Sequence, residues 1–294
     1  MITWFVVVHD YSKSGIMRCC CFGGVVEVYL LYLGLGAVAG LISGLFGLGG
    51  GVVIVPILIF TFTAQGLSPD ILTHLAIGTS LTTIVITSIS SVSAHNRHGA
   101  VLWHVALWLT PGICLGAALG AVFAISITGA SLQLAFGVFL CLVAGKMAFP
   151  ITPEGGANMP GPAGKTAVGG VIGFVSSLFG IGGGSLSVPF LTWVRVPVKH
   201  AVGTSAACGL PIAVSGALTY LYKGYGVAEL PPHAMGYIYL PAFIGIVASS
   251  TIFARFGARL AHRLPGDMLS KGFALLLFLI GMRFVWINVR LLIA

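Results

Sequence analysis

Apolar positions along this chain come in long blocks rather than in alternation, and polar positions collect between them. Apolar sequence runs over Val28–Phe46, Val52–Ala64, Ile71–Ala94, Val101–Ile127 and Leu132–Phe149. It resumes in a limb ending at Phe179, then in Leu186–Val194, Ala201–Tyr222, Met235–Phe256 and Leu269–Leu292. A block of about 20 apolar residues spans a bilayer core as a helix, so three full transmembrane helices are expected after the second short limb of each half. The stretch ITPEGGANMPGPAGK, ending at Lys165, is polar and rich in Pro and Gly, and it reads as a linker between two membrane units.

Two of the blocks are interrupted in the same way. GLISGLFGLGGGVVIVPIL begins at Gly40, and GFVSSLFGIGGGSLSVPFL begins at Gly173. At a constant offset Ser43 matches Ser176, Phe46 matches Phe179, Gly49, Gly50 and Gly51 match Gly182, Gly183 and Gly184, and Pro56 matches Pro189. Three glycines followed by proline cannot continue an ordinary helix, because glycine loses the most backbone entropy and proline lacks the amide donor. Further matches extend the repeat: Gly78-Thr79-Ser80 with Gly203-Thr204-Ser205, Pro111 with Pro241, Leu132 and Phe136 with Leu269 and Phe273, and Lys146 with Arg283. The expected organisation is a leader at 1–27, a first transmembrane repeat at 28–149, a linker at 150–165 and a second repeat at 166–294.

Composition agrees with a membrane. The chain is 57% hydrophobic and 7% charged, with a mean hydropathy of +1.07, too little charge to cover a soluble surface. The fold class expected is an all-α polytopic membrane protein of two homologous halves, each a glycine-broken helical element plus three full transmembrane helices, about 8–10 membrane segments in all. A net charge of +8 then reads as loop anchoring rather than nucleic-acid binding, since no basic patch is interleaved with aromatics. If each broken element is a hairpin or two crossings, the halves are inverted. With the N-terminus outside, nine of the 14 Lys and Arg residues then lie on the inner side, as positive-inside loops require. If each broken element is one span, the halves are parallel and the split is eight against six; inversion is the preferred reading.

The breaks carry the candidate chemistry. Amides freed at a half-helix start, with the helix dipole, attract a small anion without placing a full charge in lipid, and Gly49, Gly50, Gly51, Gly182, Gly183 and Gly184 let the backbone come close. The alternative is that these glycines only permit tight helix crossing. The hydroxyls of Thr79, Ser80, Thr204 and Ser205 are candidate oxyanion ligands, or they bond back to their own helices. His74 and His200 read as equivalent positions beside the same segments, and are either candidates for proton coupling or residues at the water interface. Lys146 and Arg283 interrupt apolar sequence and read either as steering charges or as side chains snorkelling to headgroups. The cluster His95, Arg97 and His98 reads as a cytoplasmic anchor.

No catalytic residue, metal site or cofactor is expected. The carboxylates fall in predicted termini and loops, and there is no Ser-His-Asp set, HEXXH run or phosphate loop. Cys19, Cys20 and Cys21 lack metal-ligand spacing and are either palmitoylation sites or incidental thiols, while Cys114, Cys141 and Cys208 read as small core residues.

The paired GLFGLGGGVVIVP and SLFGIGGGSLSVP motifs, with AIGTS and AVGTS downstream, resemble the sulfite exporter TauE/SafE family of membrane permeases, over most of the chain from Val28 onward. The resemblance implies secondary transport of a small anion across the cell membrane, sulfite or an organosulfonate foremost. At HNRHGAVLW similar proteins commonly carry an acidic residue before the aromatic, where this chain has Leu102 before Trp103. Partners expected are the bilayer, a small inorganic or organic anion and protons. A passive anion channel and a noncatalytic partner subunit are the alternatives, and the oligomeric state is open.

Overall fold

The computed structural model describes residues 23–46, 50–148, 158–227, 229–261 and 266–293. Among them the chain forms ten helices: α1 Gly23–Phe46, α2 Gly51–Ala64, α3 Pro69–Arg97, α4 Trp103–Ser126, α5 Gly129–Ala148, α6 Pro162–Leu178, α7 Gly184–Trp193, α8 Val198–Lys223, α9 Leu240–Ala261 and α10 Gly266–Ile293. A two-residue antiparallel hairpin, β1 Ala234–Met235 and β2 Ile238–Tyr239, precedes α9. The leader up to residue 22, Gly49 and the first half of the expected linker, 150–157, lie outside the described residues.

The expected blocks become helices with few exceptions. Helix α6 begins at Pro162, so the last residues of the expected linker are already helical; proline suits a first helical turn because its missing amide would have no partner there. The span expected to begin at Met235 starts instead at Leu240, with Pro241 in its first turn, because residues 234–239 are taken up by the β-hairpin. Among the described residues five helices are long and apolar enough to cross a membrane: α3, α4, α5, α8 and the Lys271–Arg290 part of α10. Helix α9 has a shorter apolar stretch, Leu240–Ala254.

The first glycine break reverses the chain. Gly50 lies beside Ser43, whose Oγ is 3.7 Å from where a Cβ on Gly50 would stand, while at the far end Gln65 Nε2 donates to the Tyr32 hydroxyl at 2.9 Å. Helix α2 therefore runs back along α1. It has 14 residues, about 21 Å of helix, against a bilayer core of roughly 30 Å. Helix α7, after the second break, has 10 residues, about 15 Å.

Close helix contacts are built from small residues. Gly112, Gly116 and Gly120 of α4 meet Thr166, Gly170 and Phe174 of α6 in step, so these two helices run parallel. Gly36 and Gly40 of α1 meet Ile246 and Ser250 of α9, also parallel. In contrast α5 and α10 are antiparallel, with Gly137 against Gly281 and Phe284 and Asn288 Nδ2 donating to Gln133 Oε1 at 3.2 Å. Helices α3 and α8 are antiparallel as well: Gly78 lies against Tyr220, and Gly209 against Ser88. In the apolar windows of α3 and α8, 56% and 61% of residues are buried, compared with 33% in α5 and in α10. The first pair is the centre of the protein and the second faces outward, with Leu142, Leu275 and Leu279 exposed, as a lipid-facing surface requires.

Candidate functional site

Between α3 and α8 the two breaks touch. A Cβ added to Gly51 would lie 2.6 Å from the Gly180 carbonyl oxygen and 2.8 Å from Ile181 Cα, so only glycine allows the start of α2 this close to the second break. Gly180 itself has φ +67 and packs between Ile77 of α3 and Val55 of α2. The Ser80 hydroxyl donates to the Gly180 carbonyl at 2.8 Å across the two halves of the sequence. Gly183 lies against Ile212 and Gly209 of α8. Gly51, Gly182 and Gly183 are buried, while Gly50 and Gly184 are half-buried.

Each short helix starts at its break, where the first amides of a helix have no intrahelical acceptor. The Val53 and Ile54 amides bond to the Gly50 carbonyl, and those of Leu186 and Ser187 to the Gly183 carbonyl. The amides of Gly51 and Val52, and of Gly184 and Ser185, precede these ladders and belong to the orphan donors of a helix start. The positive ends of the α2 and α7 dipoles thus lie at one junction, where the two breaks touch at Gly51 and Gly180.

An aromatic wall closes one side of it. Phe179, next to Gly180, packs on Phe136 and Phe139 of α5 with ring centroids 5.6 and 4.9 Å away, and Phe136 continues to Phe284 of α10 and Phe60 of α2. Arg283 is exposed, with its guanidinium over the Phe60 ring at 4.7 Å, while Lys146 is exposed in the last turn of α5. The two equivalent cations are therefore not brought to the junction of the breaks.

The Gly-Thr-Ser segments have a clear local task. The Tyr239 amide donates to the Thr79 hydroxyl at 2.9 Å, and the Leu102 amide donates to the Thr204 hydroxyl at 3.0 Å. Both threonines are fully buried. Gly78 admits the Tyr237 carbonyl, and Gly203 admits the Ala100 carbonyl, against the helix backbone. In each half, glycine and threonine dock the loop that leads into α9 or α4. Thr79 also donates to its own Leu75 carbonyl at 2.6 Å, and Ser205 to Val202 at 3.0 Å.

The two histidines differ. Counted back from Gly-Thr-Ser, His74 is four residues away and His200 three, so exposed Lys199 holds the register of His74. His74 is buried, with Nδ1 2.7 Å from the Asp70 carbonyl and Nε2 3.0 Å from the Ala124 carbonyl, tying the start of α3 to the end of α4. The neutral ring can donate to only one of these at a time. His200 is half-buried, and its Nδ1 has no partner. A group the sequence reading passed over is Ser176, Ser185 and Ser187, around the second break, whose buried hydroxyls have no hydrogen-bond partner. The signal was present in the repeat offset, where Val52 and Ile54 stand opposite Ser185 and Ser187.

Comparison with known proteins follows the same outline. The family profile described as Sulfite exporter TauE/SafE matches residues 32–284. A probable membrane transporter protein of Haemophilus influenzae is 38% identical over 256 residues, covering 86% of this chain and 96% of that protein. The probable membrane transporter protein YunE of Bacillus subtilis is 28% identical over 278 residues, covering 88% and 97% of the two chains. A probable membrane transporter protein of Methanocaldococcus jannaschii is 29% identical over 243 residues, covering 81% and 89%. No solved structure matches.

Proposed function

Given that this chain belongs to the sulfite exporter TauE/SafE family of multi-pass cell-membrane proteins, we propose that it is a secondary transporter of a small oxyanion, sulfite or an organosulfonate before others. The observation that carries this reading is the contact of the two breaks, where the start of α2 at Gly51 meets Gly180–Ile181, just ahead of the α7 start at Gly184. Their orphan amides and dipole ends supply partial positive charge in a place lipid cannot reach. An unpaired cation there would be costly in the membrane interior, whereas backbone donors carry no formal charge.

Inverted repeats are part of the proposal. When α1–α5 are paired with α6–α10, the equivalents α3 and α8 run antiparallel, as do α5 and α10. The parallel pairs α1 with α9 and α4 with α6 exchange into one another under the same operation. Both facts support halves related by an axis in the membrane plane, with the short broken elements meeting near its middle. The small-residue seams between α1 and α9 and between α4 and α6 are the surfaces along which one half would rock on the other.

A monovalent anion crossing alone carries current, so electroneutral movement with a proton is part of the reading. His74 is the better proton candidate of the two histidines, because a carbonyl faces each of its ring nitrogens and a second ring proton would have an acceptor waiting. The test is flux in proteoliposomes of purified protein. Sulfite or a sulfonate is expected to move saturably, compete with other small oxyanions and respond to an imposed pH difference. Flux indifferent to the pH difference would favour a passive channel, and saturable movement of a cation or neutral sugar with no anion competing would overturn the class.

A further inference from the structure

We infer that the anion is held by the second broken element alone, on the Ser187 hydroxyl beside the amides that open α7 and on the hydroxyl of Ser176, whose carbonyl takes the Ile181 amide of the break at 2.9 Å, with the first hairpin as an apolar counterface. This assignment rests on the transport reading above and names the ligands within it.

Several hydroxyls elsewhere in this membrane domain satisfy themselves by donating to the carbonyl four residues back, as Thr61, Thr63, Thr110 and Thr219 do. Ser176 and Ser187 do not. Both are completely buried, and neither hydroxyl has a partner. The Gly183 carbonyl, four residues back, takes the Ser187 amide at 2.7 Å but not its hydroxyl. A buried unpaired hydroxyl costs free energy and calls for a reason, and a ligand that arrives and leaves during each cycle supplies one.

The position of Ser187 identifies the ligand. Its Oγ lies 3.2 Å from where a Cβ on Gly183 would stand, at the mouth of the α7 helix start. At the same place in the first half, beside Gly50, stands the Ile54 Cδ1 methyl, 2.8 Å from the corresponding point. Both points thus carry a methyl, Ile212 Cδ1 lying 3.1 Å from the Gly183 point, and the second carries the buried, unpartnered Ser187 hydroxyl beside it, while Ser43 Oγ lies 3.7 Å from the first. Ser185, opposite Val52 in the repeat, adds a third unpartnered hydroxyl to the same turn. Orphan amides together with hydroxyl donors suit an oxyanion, which accepts on every oxygen. A cation would find the wrong end of the dipole. Ser250, another unpartnered hydroxyl, lies in the α1–α9 seam against Gly40, away from both breaks.

The test uses sulfite flux into proteoliposomes, with thermal unfolding of the same purified variants. Ser187→Ala and Ser176→Ala are each expected to raise the KM for sulfite about tenfold or more, as loss of a hydrogen bond to a charged ligand does. Neither should lower the melting temperature, because the hydroxyl removed has no protein partner; a merely structural serine would do the reverse. Ser187→Ile, which copies the first half, should abolish saturable flux, while Ser43→Ala should leave the KM within about twofold of wild type. Active wild-type protein with unchanged KM in both alanine variants overturns the assignment and leaves the transport reading standing. Wild-type protein that moves neither sulfite nor any sulfonate or small carboxylate overturns the transport reading and the assignment with it.

Discussion

At the scale of single residues, the two halves solve the same backbone problem with different side chains. The chain leaves α2 through Gly66 at φ +76 and leaves α7 through Arg195 at φ +63. A side chain in the left-handed region costs roughly 1–2 kcal/mol, of which glycine returns part as unfolded-state entropy. Arg195→Gly is therefore expected to stabilise the detergent-solubilised protein by up to about 1 kcal/mol, read as a higher melting temperature. Gly51 gives the opposite case. Its added methyl would meet the Gly180 carbonyl at 2.6 Å, backbone against which nothing can rotate, so Gly51→Ala should cost about 1–3 kcal/mol and reduce flux. Gly182→Ala is the control: its methyl would meet only Ile84 Cγ2 at 3.7 Å, an ordinary contact, and this variant should unfold at the wild-type temperature.

At the scale of elements, the Gly-Thr-Ser segments show how a motif can be visible before its task is. Their recurrence is plain in the sequence, and hydroxyls near a break invite a ligand role, but the threonines are taken up by the amides of Tyr239 and Leu102. Which amide a hydroxyl meets depends on helix packing between residues 102 and 160 positions apart, and no local pattern encodes it. Thr204→Ala should leave the Leu102 amide without its acceptor, loosen the start of α4 and cost about 1–3 kcal/mol. Thr204→Ser, which restores the oxygen, should recover most of that stability in the same thermal assay. Leu102 takes part through its backbone, so an acidic side chain at that position is not needed for this contact.

At the scale of the whole molecule, helix directions make the charge argument testable. With α1 and α9 parallel and α3 antiparallel to α8, the inverted reading puts the linker around Glu154 in the cytoplasm. In a variant without its native cysteines, a cysteine at position 154 should resist an impermeant thiol reagent in intact cells and react once the membrane is opened. Rapid labelling in intact cells would reverse the assignment.

Some features of this protein are local, and the sequence by itself determined them. Apolar block length decided that it spans a membrane, glycine and proline decided where helices stop, and the shared offset of Gly49–Gly51 with Gly182–Gly184 disclosed two similar units. The start of α9 was misplaced by the same logic, because the hydropathy of Met235–Tyr239 is equally compatible with a strand buried against other helices. Tertiary structure decided the rest. Only packing could show that α2 turns back along α1, that Gly51 touches Gly180, and that Lys146 and Arg283 stay at the surface. Only packing could separate Thr79, whose hydroxyl is satisfied, from Ser187, whose hydroxyl is not. The physical reason is that helix formation and membrane burial are settled over a few turns of chain, whereas the partner of a buried polar group is chosen by whichever distant backbone the folded protein brings to it.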